Sequence, residues 1–167
     1  MNKYLSEIGY QGYYSLLILI LLVLAYNQVT NPLIYAAVIA WQLFNHLVNI
    51  TVKNIIKAER PDSQPEEFAK IKKSVSFQNY FTVHRNFGMP SGHAQAVVSS
   101  FVFILLYFNK PILTGIAAVQ TGLTLWQRYE TRRHSIAQLV AGSALGIIIG
   151  IAFYTLVLKY NKCNKYK

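Results

Sequence analysis

Long apolar stretches that contain no charged residue dominate the pattern of this chain. No Lys, Arg, Asp or Glu occurs in residues 8–52, 86–109, 111–127 or 135–158. A helix that crosses a bilayer needs about 20 largely apolar residues, so each stretch has room for at least one span. Residues 27–32, Asn-Gln-Val-Thr-Asn-Pro, interrupt the first stretch with a composition typical of a turn. This stretch therefore divides into two spans.

The pattern predicts an all-α fold, a polytopic membrane bundle of about five transmembrane helices. The expected spans are residues 12–26, 33–52, 91–108, 111–127 and 135–158. A soluble protein with buried helices is the alternative, but a soluble core of this size does not need five uncharged segments of spanning length. Residues 1–167 are predicted to form a single domain.

A polar loop at residues 61–89 separates the second predicted span from the third. Within it, residues 65–77 carry Phe68, Ile71 and Val75 at helical spacing, with charged residues around them. This spacing favours a short amphipathic helix at the membrane surface. A flexible solvated loop is the alternative.

Charge and cysteine content narrow the class of partner. Only 13% of the residues are charged, and the formal net charge is +10. The basic residues cluster beside the apolar segments, which favours membrane anchoring and an anionic ligand over nucleic acid. Cys163 is the only cysteine, so neither an intrachain disulfide nor a cysteine metal site is expected. The first apolar run is expected to be a retained anchor, because no typical cleavage site accompanies it.

Three polar motifs are expected to meet at one membrane face. In a five-span topology, the end of the second span, the start of the third and the link between the fourth and fifth share one side. Lys53 and Arg60 stand at the first of these places. They are about two helical turns apart and so project from the same side. Taken alone, such a pair is also typical of membrane-edge anchoring.

The second motif, Pro-Ser-Gly-His, stands at the start of the third span. Ser91 is a good helix N-cap, and Gly92 permits close approach to the backbone. Unpaired amides at a helix N-terminus favour phosphate. His93, in the first turn, has the chemistry to donate a proton to a departing oxygen. The alternative interpretation is a capped helix with an interfacial histidine.

The third motif lies between the last two spans and contains Arg128, His134 and Gln138. Gln138 follows His134 by four residues and therefore shares its helical face. Its amide oxygen can accept the proton of one imidazole nitrogen and so orient the other.

The order Lys-x6-Arg-Pro, Pro-Ser-Gly-His and Arg-x5-His resembles the type 2 phosphatidic acid phosphatase superfamily, which includes lipid phosphatases and vanadium haloperoxidases. The resemblance implies that His134 is the nucleophile and His93 the general acid. It also implies a phosphate-binding shell made of Lys53, Arg60, Ser91, Gly92 and Arg128. No metal or other cofactor is expected, because Lys and Arg supply the positive charge.

Gln138 departs from the common pattern of this superfamily, which has Asp at that place. A carboxylate would stabilise the imidazolium, whereas an amide only orients the ring. The dolichyl diphosphatase branch is similar to this chain here, with His-x3-Gln and a Phe-Gly-Met-Pro-Ser-x-His-x-Gln segment, although most of that branch has Ser at the place of Gly92. The resemblance implies hydrolysis of a polyprenyl diphosphate. Phosphatidate or another phospholipid phosphate is an alternative substrate, and a non-catalytic lipid-binding homologue is the other alternative.

Four further polar residues have two interpretations each. His46 and Asn49 share the helical face of Lys53 and either line the headgroup cavity or make interhelical hydrogen bonds, which is the commoner case. His84 and Arg85 either contact a distal phosphate or form a solvated loop pair. The tyrosines near the ends of the spans, Tyr10 among them, are interpreted as an interfacial belt.

The membrane side of the motifs is predicted from two opposing indications. Five of the 16 Lys and Arg residues lie on the side away from the motifs, so the positive-inside rule favours a cytoplasmic site. The resemblance favours the opposite side: the lumen of the endoplasmic reticulum in a eukaryotic or viral setting, or the outside of a bacterial plasma membrane. The second location is the one predicted.

Overall fold

A computed structural model describes residues 3–74, 76 and 79–164, without the side chains of residues 3, 82–84 and 164. The described residues form helices and no strands. The elements are α1 (Lys3–Tyr10), α2 (Gly12–Tyr26), α3 (Pro32–Ile56), α4 (Pro65–Lys73), α5 (Tyr80–Val83), a 3-10 turn (His84–Asn86), α6 (Gly92–Phe108), α7 (Pro111–Glu130) and α8 (Ile136–Asn164).

Local sequence signals define where the long helices begin and end. Asn31 caps α3, its side chain accepting a hydrogen bond from the amide of Leu33 at 3.0 Å, with Pro32 in the first helical turn. Lys57 ends α3 in a left-handed conformation with φ of 49°. Asn109 ends α6 in the same way, as such C-terminal positions commonly do.

All five segments predicted as spans are helical, and the all-helical membrane fold is confirmed. Two helices, Pro32–Ile56 and Ile136–Cys163, are long and apolar enough to cross a membrane by themselves. Tyr4–Tyr10 and Gly12–Tyr26 would make a third span together, although they are bent by 64° at their junction. Gly92–Phe108 is apolar but shorter. The count of five spans therefore stays a prediction.

The centre of the bundle is the contact between α6 and α8. A Cβ added to Gly146 would lie 2.5 Å from the carbonyl oxygen of Gln95, and one on Gly150 would lie 2.7 Å from that of Ser99. Small residues on α8 thus let the two backbones approach closely. Because of this close approach, the start of α6 at Gly92 lies near the loop that precedes α8.

The polar segment between α3 and α6 contains the expected short helix. α4 begins at Pro65, with acidic residues in its first turn and basic ones in its last, an arrangement that suits the helix dipole. The ring of Phe68 packs edge-on against Phe87 at 6.1 Å between centroids. Of the predicted segment 65–77, Val75 and Phe77 lie outside the described residues, and its position at the membrane surface stays a prediction.

Candidate active site

One cavity of about 940 Å³ brings the three motifs together. It is lined by six of the eight residues singled out from the sequence: Lys53, Arg60, Gly92, His93, Arg128 and His134. The other two, Ser91 and Gln138, are buried beside it and do not line it.

Backbone hydrogen bonds join the three motif segments directly. The amide of Gly88 donates to the carbonyl of Ala58 at 2.7 Å, and the amide of Ser91 donates to that of Gln138 at 3.0 Å. The Nε of Arg60 donates to the carbonyl of Phe87 at 3.3 Å. Residues far apart in sequence therefore share one hydrogen-bonded scaffold, and a shift of one segment moves the others.

The His134 ring has a defined tautomer. Its Nδ1 lies 2.9 Å from the carbonyl oxygen of Gly88 and 3.3 Å from Oε1 of Gln138. Both neighbours are acceptors, because the Gln138 amide nitrogen is committed to the carbonyl of Glu59 at 2.6 Å. Nδ1 must therefore carry the hydrogen, and Nε2 keeps its lone pair.

Gln138 is held in place through both its side chain and its backbone. Besides His134 and Glu59, its Oε1 accepts from the amide of Ser135 at 3.2 Å, and its backbone amide donates to the Ser135 hydroxyl at 3.3 Å. A Cβ at Gly88 would collide with the Gln138 amide group. The glycine of the Phe-Gly-Met-Pro segment is thus required for space beside this amide.

The charge around the cavity is strongly positive. Lys53 is 5% exposed and Arg128 is 6% exposed, and two of the guanidinium nitrogens of Arg128, Nε and Nη2, are buried with no hydrogen-bond partner among the described residues. Unpaired buried cations are costly unless an anion joins them. The arrangement therefore favours an anionic ligand.

Charge and burial also affect the ionisation of the groups in the loops. Burial lowers the pKa of His134 to about 3, and Arg60 and Lys53 add to this effect, while the hydrogen bonds to Gln138 and Gly88 oppose it. His134 is therefore neutral at physiological pH. Burial likewise lowers the pKa of Arg60, with Asp62 opposing the change and Arg133 adding to it.

Ser91 and Gly92 have different roles at the start of α6. Ser91 is fully buried, and its hydroxyl accepts from the amide of Ala94 at 3.4 Å as the helix N-cap. Gly92 lines the cavity, and a Cβ there would lie 2.8 Å from Oδ1 of Asn49. The Nδ2 of Asn49 donates to Oε1 of Gln95 at 2.8 Å, and Asn49 also lines the cavity, so both interpretations of Asn49 hold.

Several residues that the sequence ranked low or missed also line the cavity: Tyr10, Tyr13, Tyr14, His46, Arg85 and Arg133. Arg133 pairs with Asp62 at 3.1 Å. The side chain of His84 lies outside the described residues. No periodicity or motif marks Tyr10 apart from the other tyrosines near span ends. Among the described residues, no three His, Cys, Asp or Glu side chains are grouped to hold a metal ion.

Comparison with known proteins finds one family and two relatives. Residues 16–162 match the sequence model of the PAP2 superfamily. The chain is 27% identical to a dolichyldiphosphatase of Saccharomyces cerevisiae over 87% of its own length and 62% of that protein. It is 31% identical to sphingosine-1-phosphate phosphatase 1 of Mus musculus over 77% of its length and 30% of that protein. It therefore spans under two thirds of either relative. No solved structure matches the chain.

Proposed function

The chain belongs to the PAP2 superfamily, and on that premise we propose that it is an integral membrane lipid phosphatase. Its substrate is a polyprenyl diphosphate of the dolichyl type, which it hydrolyses to the monophosphate and inorganic phosphate through a phosphohistidine. The observation that carries the proposal is the oriented ring of His134, whose Nδ1 faces two acceptors beside a cavity lined by Lys53, Arg60 and Arg128.

The proposed chemistry needs a nucleophile and fixed positive charge. Nε2 of His134 attacks the terminal phosphorus, and the bond from that phosphorus to the bridging oxygen breaks, its electrons leaving with the lipid monophosphate. His93 gives a proton to that oxygen. Water then attacks the phosphorus and returns a proton to His93, and the N–P electrons return to His134. Positioned cations stabilise the charge on the phosphoryl oxygens in both steps.

Two features of the cavity favour a diphosphate over a monophosphate. Arg85 and Arg133 line the same cavity as Lys53, Arg60 and Arg128, and no carboxylate is among its described lining residues. Five cations exceed the charge of one phosphate monoester, which is at most about −2 at neutral pH. We assign Arg85 and Arg133 to the second phosphate, with Asp62 releasing Arg133 when the substrate binds.

The similarity to a yeast protein named dolichyldiphosphatase supports the same substrate class. The similarity to a mouse sphingosine-1-phosphate phosphatase favours a second candidate, a phospholipid or sphingoid monophosphate. The lipid tail is proposed to stay in the bilayer in either case, next to Tyr13, Tyr14 and Leu43, which line the cavity beside the cations. A homologue that binds lipid without turnover is the third candidate, with Gln138 as its support.

The site is proposed to face away from the cytoplasm, in the lumen of the endoplasmic reticulum or outside a bacterial plasma membrane. A membrane-impermeant thiol reagent applied to a cysteine placed at Ser63, in a Cys163→Ser chain, tests this. Labelling of intact cells or sealed luminal-side-out vesicles is expected. Labelling only from the cytosolic side would contradict it.

The test of function is phosphate release by the purified chain in detergent with EDTA present. Dolichyl diphosphate and phosphatidate are compared at equal surface concentration, alongside His134→Ala. We expect release from the diphosphate that the variant lowers by at least about 10³-fold, since the nucleophile is lost. Preference for phosphatidate would favour the second candidate. No release from either lipid by folded protein would favour the third, and a requirement for metal would contradict the mechanism.

A further inference from the structure

Tyr10 contacts two motif residues at once. Its ring centroid lies 5.5 Å from that of His93, with the planes tilted by 39°. The guanidinium carbon of Arg128 lies 4.8 Å from the same centroid, over the face of the ring. The ring of Tyr10 thus contacts both the second and the third motif.

The corner that carries Tyr10 is docked firmly against α7. A Cβ at Gly9 would lie 2.8 Å from the Leu123 carbonyl oxygen, and a Cβ at Gly12 would collide with the Thr124 hydroxyl. The side-chain amide of Gln120 donates to the carbonyl of Ile8 at 2.8 Å. Two glycines flanking Tyr10 therefore allow a close approach that fixes the ring beside Arg128.

The cation–π contact with Tyr10 leaves N–H donors of Arg128 without a hydrogen-bond partner among the described residues. A guanidinium is planar, and its N–H donors point outward from its edge, so its faces are available for aromatic stacking. The Nε and Nη2 atoms at that edge are buried and have no partner within the described chain. The contact with Tyr10 therefore restricts Arg128, while two of its donors remain without a partner among the described residues.

We propose that Tyr10 is a positioning residue of the phosphate site. It holds the guanidinium of Arg128 and the ring of His93 in fixed positions relative to each other. The inference rests on the proposed function for its catalytic part, and on the contacts alone for its phosphate-binding part. The aromatic ring carries the role. The phenolic hydroxyl is dispensable, because both contacts are made by the ring.

The test compares Tyr10→Leu with Tyr10→Phe in the 167-residue chain. We expect Tyr10→Leu to weaken binding of inorganic phosphate, measured by titration calorimetry, by about 2- to 30-fold, the range that a partly desolvated cation–π contact implies. A loss of similar size is expected in kcat/KM for the lipid diphosphate. Tyr10→Phe keeps the ring and is expected to stay within about twofold of the parent chain in both measurements.

Two controls separate positioning from folding. Tyr26→Leu removes a tyrosine that is 86% exposed at the far end of α2 and is expected to change neither measurement. In an Arg128→Gln background, Tyr10→Leu is expected to lose most of its effect on phosphate binding, because the coupled partner is absent.

Three results would overturn the proposal: normal phosphate binding by Tyr10→Leu, an equal loss in Tyr10→Phe, or an undiminished effect of Tyr10→Leu without Arg128. Because phosphate binding does not require turnover, it decides the role of Tyr10 even if the chain releases no phosphate from any lipid. In that case only the proposed function fails.

Discussion

The contact between α6 and α8 and the motif end of the same bundle differ in whether they bury charged side chains. At the contact, Gly146 of α8 packs directly against the backbone of α6. Close by, the Trp41 ring stacks on Phe153, with 4.4 Å between centroids and planes 4° apart. At the motif end, Lys53 and Arg128 are buried beside a cavity, and part of Arg128 has no partner in the described chain. The first region stabilises the fold, whereas the second keeps unbalanced positive charge in place for an anion.

Removing one buried cation is expected to give the largest effect. It should lower catalytic activity and raise thermal stability. Lys53→Met should lower kcat/KM for the lipid diphosphate by about 10²- to 10³-fold, the usual effect of losing one charge-stabilising donor. It should also raise the thermal unfolding temperature of the phosphate-free chain, because an unpaired buried charge is replaced by an apolar group of similar length. Kinetics and thermal melts in detergent measure both.

Lys70→Met is the matched control, since Lys70 is exposed on α4. It should change neither quantity appreciably. A lower melting temperature for Lys53→Met would contradict the view that the site end holds unbalanced charge.

Adding one methyl group to the close helix contact is expected to give the next largest effect. Gly146→Ala places a Cβ 2.5 Å from the Gln95 carbonyl oxygen, so α6 and α8 must separate. We expect a loss of about 1–3 kcal/mol in unfolding free energy, typical of overpacking. Reversible unfolding in mixed detergent micelles measures it.

The same substitution on α7 is the comparison for this test. Gly122 has nothing within 4 Å of an added Cβ, and Gly122→Ala should stabilise the chain by up to about 1 kcal/mol, because alanine restricts the unfolded chain and favours helix. Equal effects at the two glycines would show that the contact between α6 and α8 is not close.

Restoring the common carboxylate at position 138 is expected to give the smallest effect, and one that depends on pH. Asp has no N–H to donate to the Glu59 carbonyl, so the hydrogen bond made by the Gln138 side-chain amide is lost. Gln138→Asp should therefore lower kcat/KM about tenfold at neutral pH, a size typical of one lost supporting contact. The carboxylate also stabilises the imidazolium and raises the pKa of His134 from about 3. Because attack needs neutral His134, kcat/KM of the variant should fall further as pH decreases through the raised pKa.

The measurement is the ratio of variant to parent kcat/KM between pH 4.5 and 7.5, in which the ionisation of the substrate cancels. Gln138→Asn shortens the side chain without adding charge, and its ratio should be independent of pH. A ratio for Gln138→Asp that does not change with pH would mean that the new carboxylate does not reach His134.

Helix positions were predictable because they follow from uncharged length. The expected span 12–26 coincides with α2, and 111–127 lies within α7. Of the helices that were not predicted, α1 is short and amphipathic, with Glu7 among apolar residues. Its stability comes from docking on α7, and a contact between residues so far apart in sequence leaves no local pattern.

The grouping of the motif residues at one site was predictable from the motif spacing. Six of the eight residues expected to act together line one cavity. The tautomer of His134 was anticipated only in part: the expected acceptor, Gln138, is 3.3 Å away, whereas the unanticipated carbonyl of Gly88 is nearer, at 2.9 Å. Backbone carbonyls carry no sequence signature, so such a partner is found only by its position.

The sequence by itself determined the apolar helices, the polar segment between them and the motif side chains that are proposed to bind phosphate, because hydropathy and motif spacing are local properties of the chain. Tertiary structure decided which groups meet. It brought Tyr10 onto Arg128, Asn49 onto Gln95 and Gly88 onto the Gln138 amide. The physical reason is that these contacts join helices through space, where close approach and buried hydrogen bonding depend on the packing of the whole bundle.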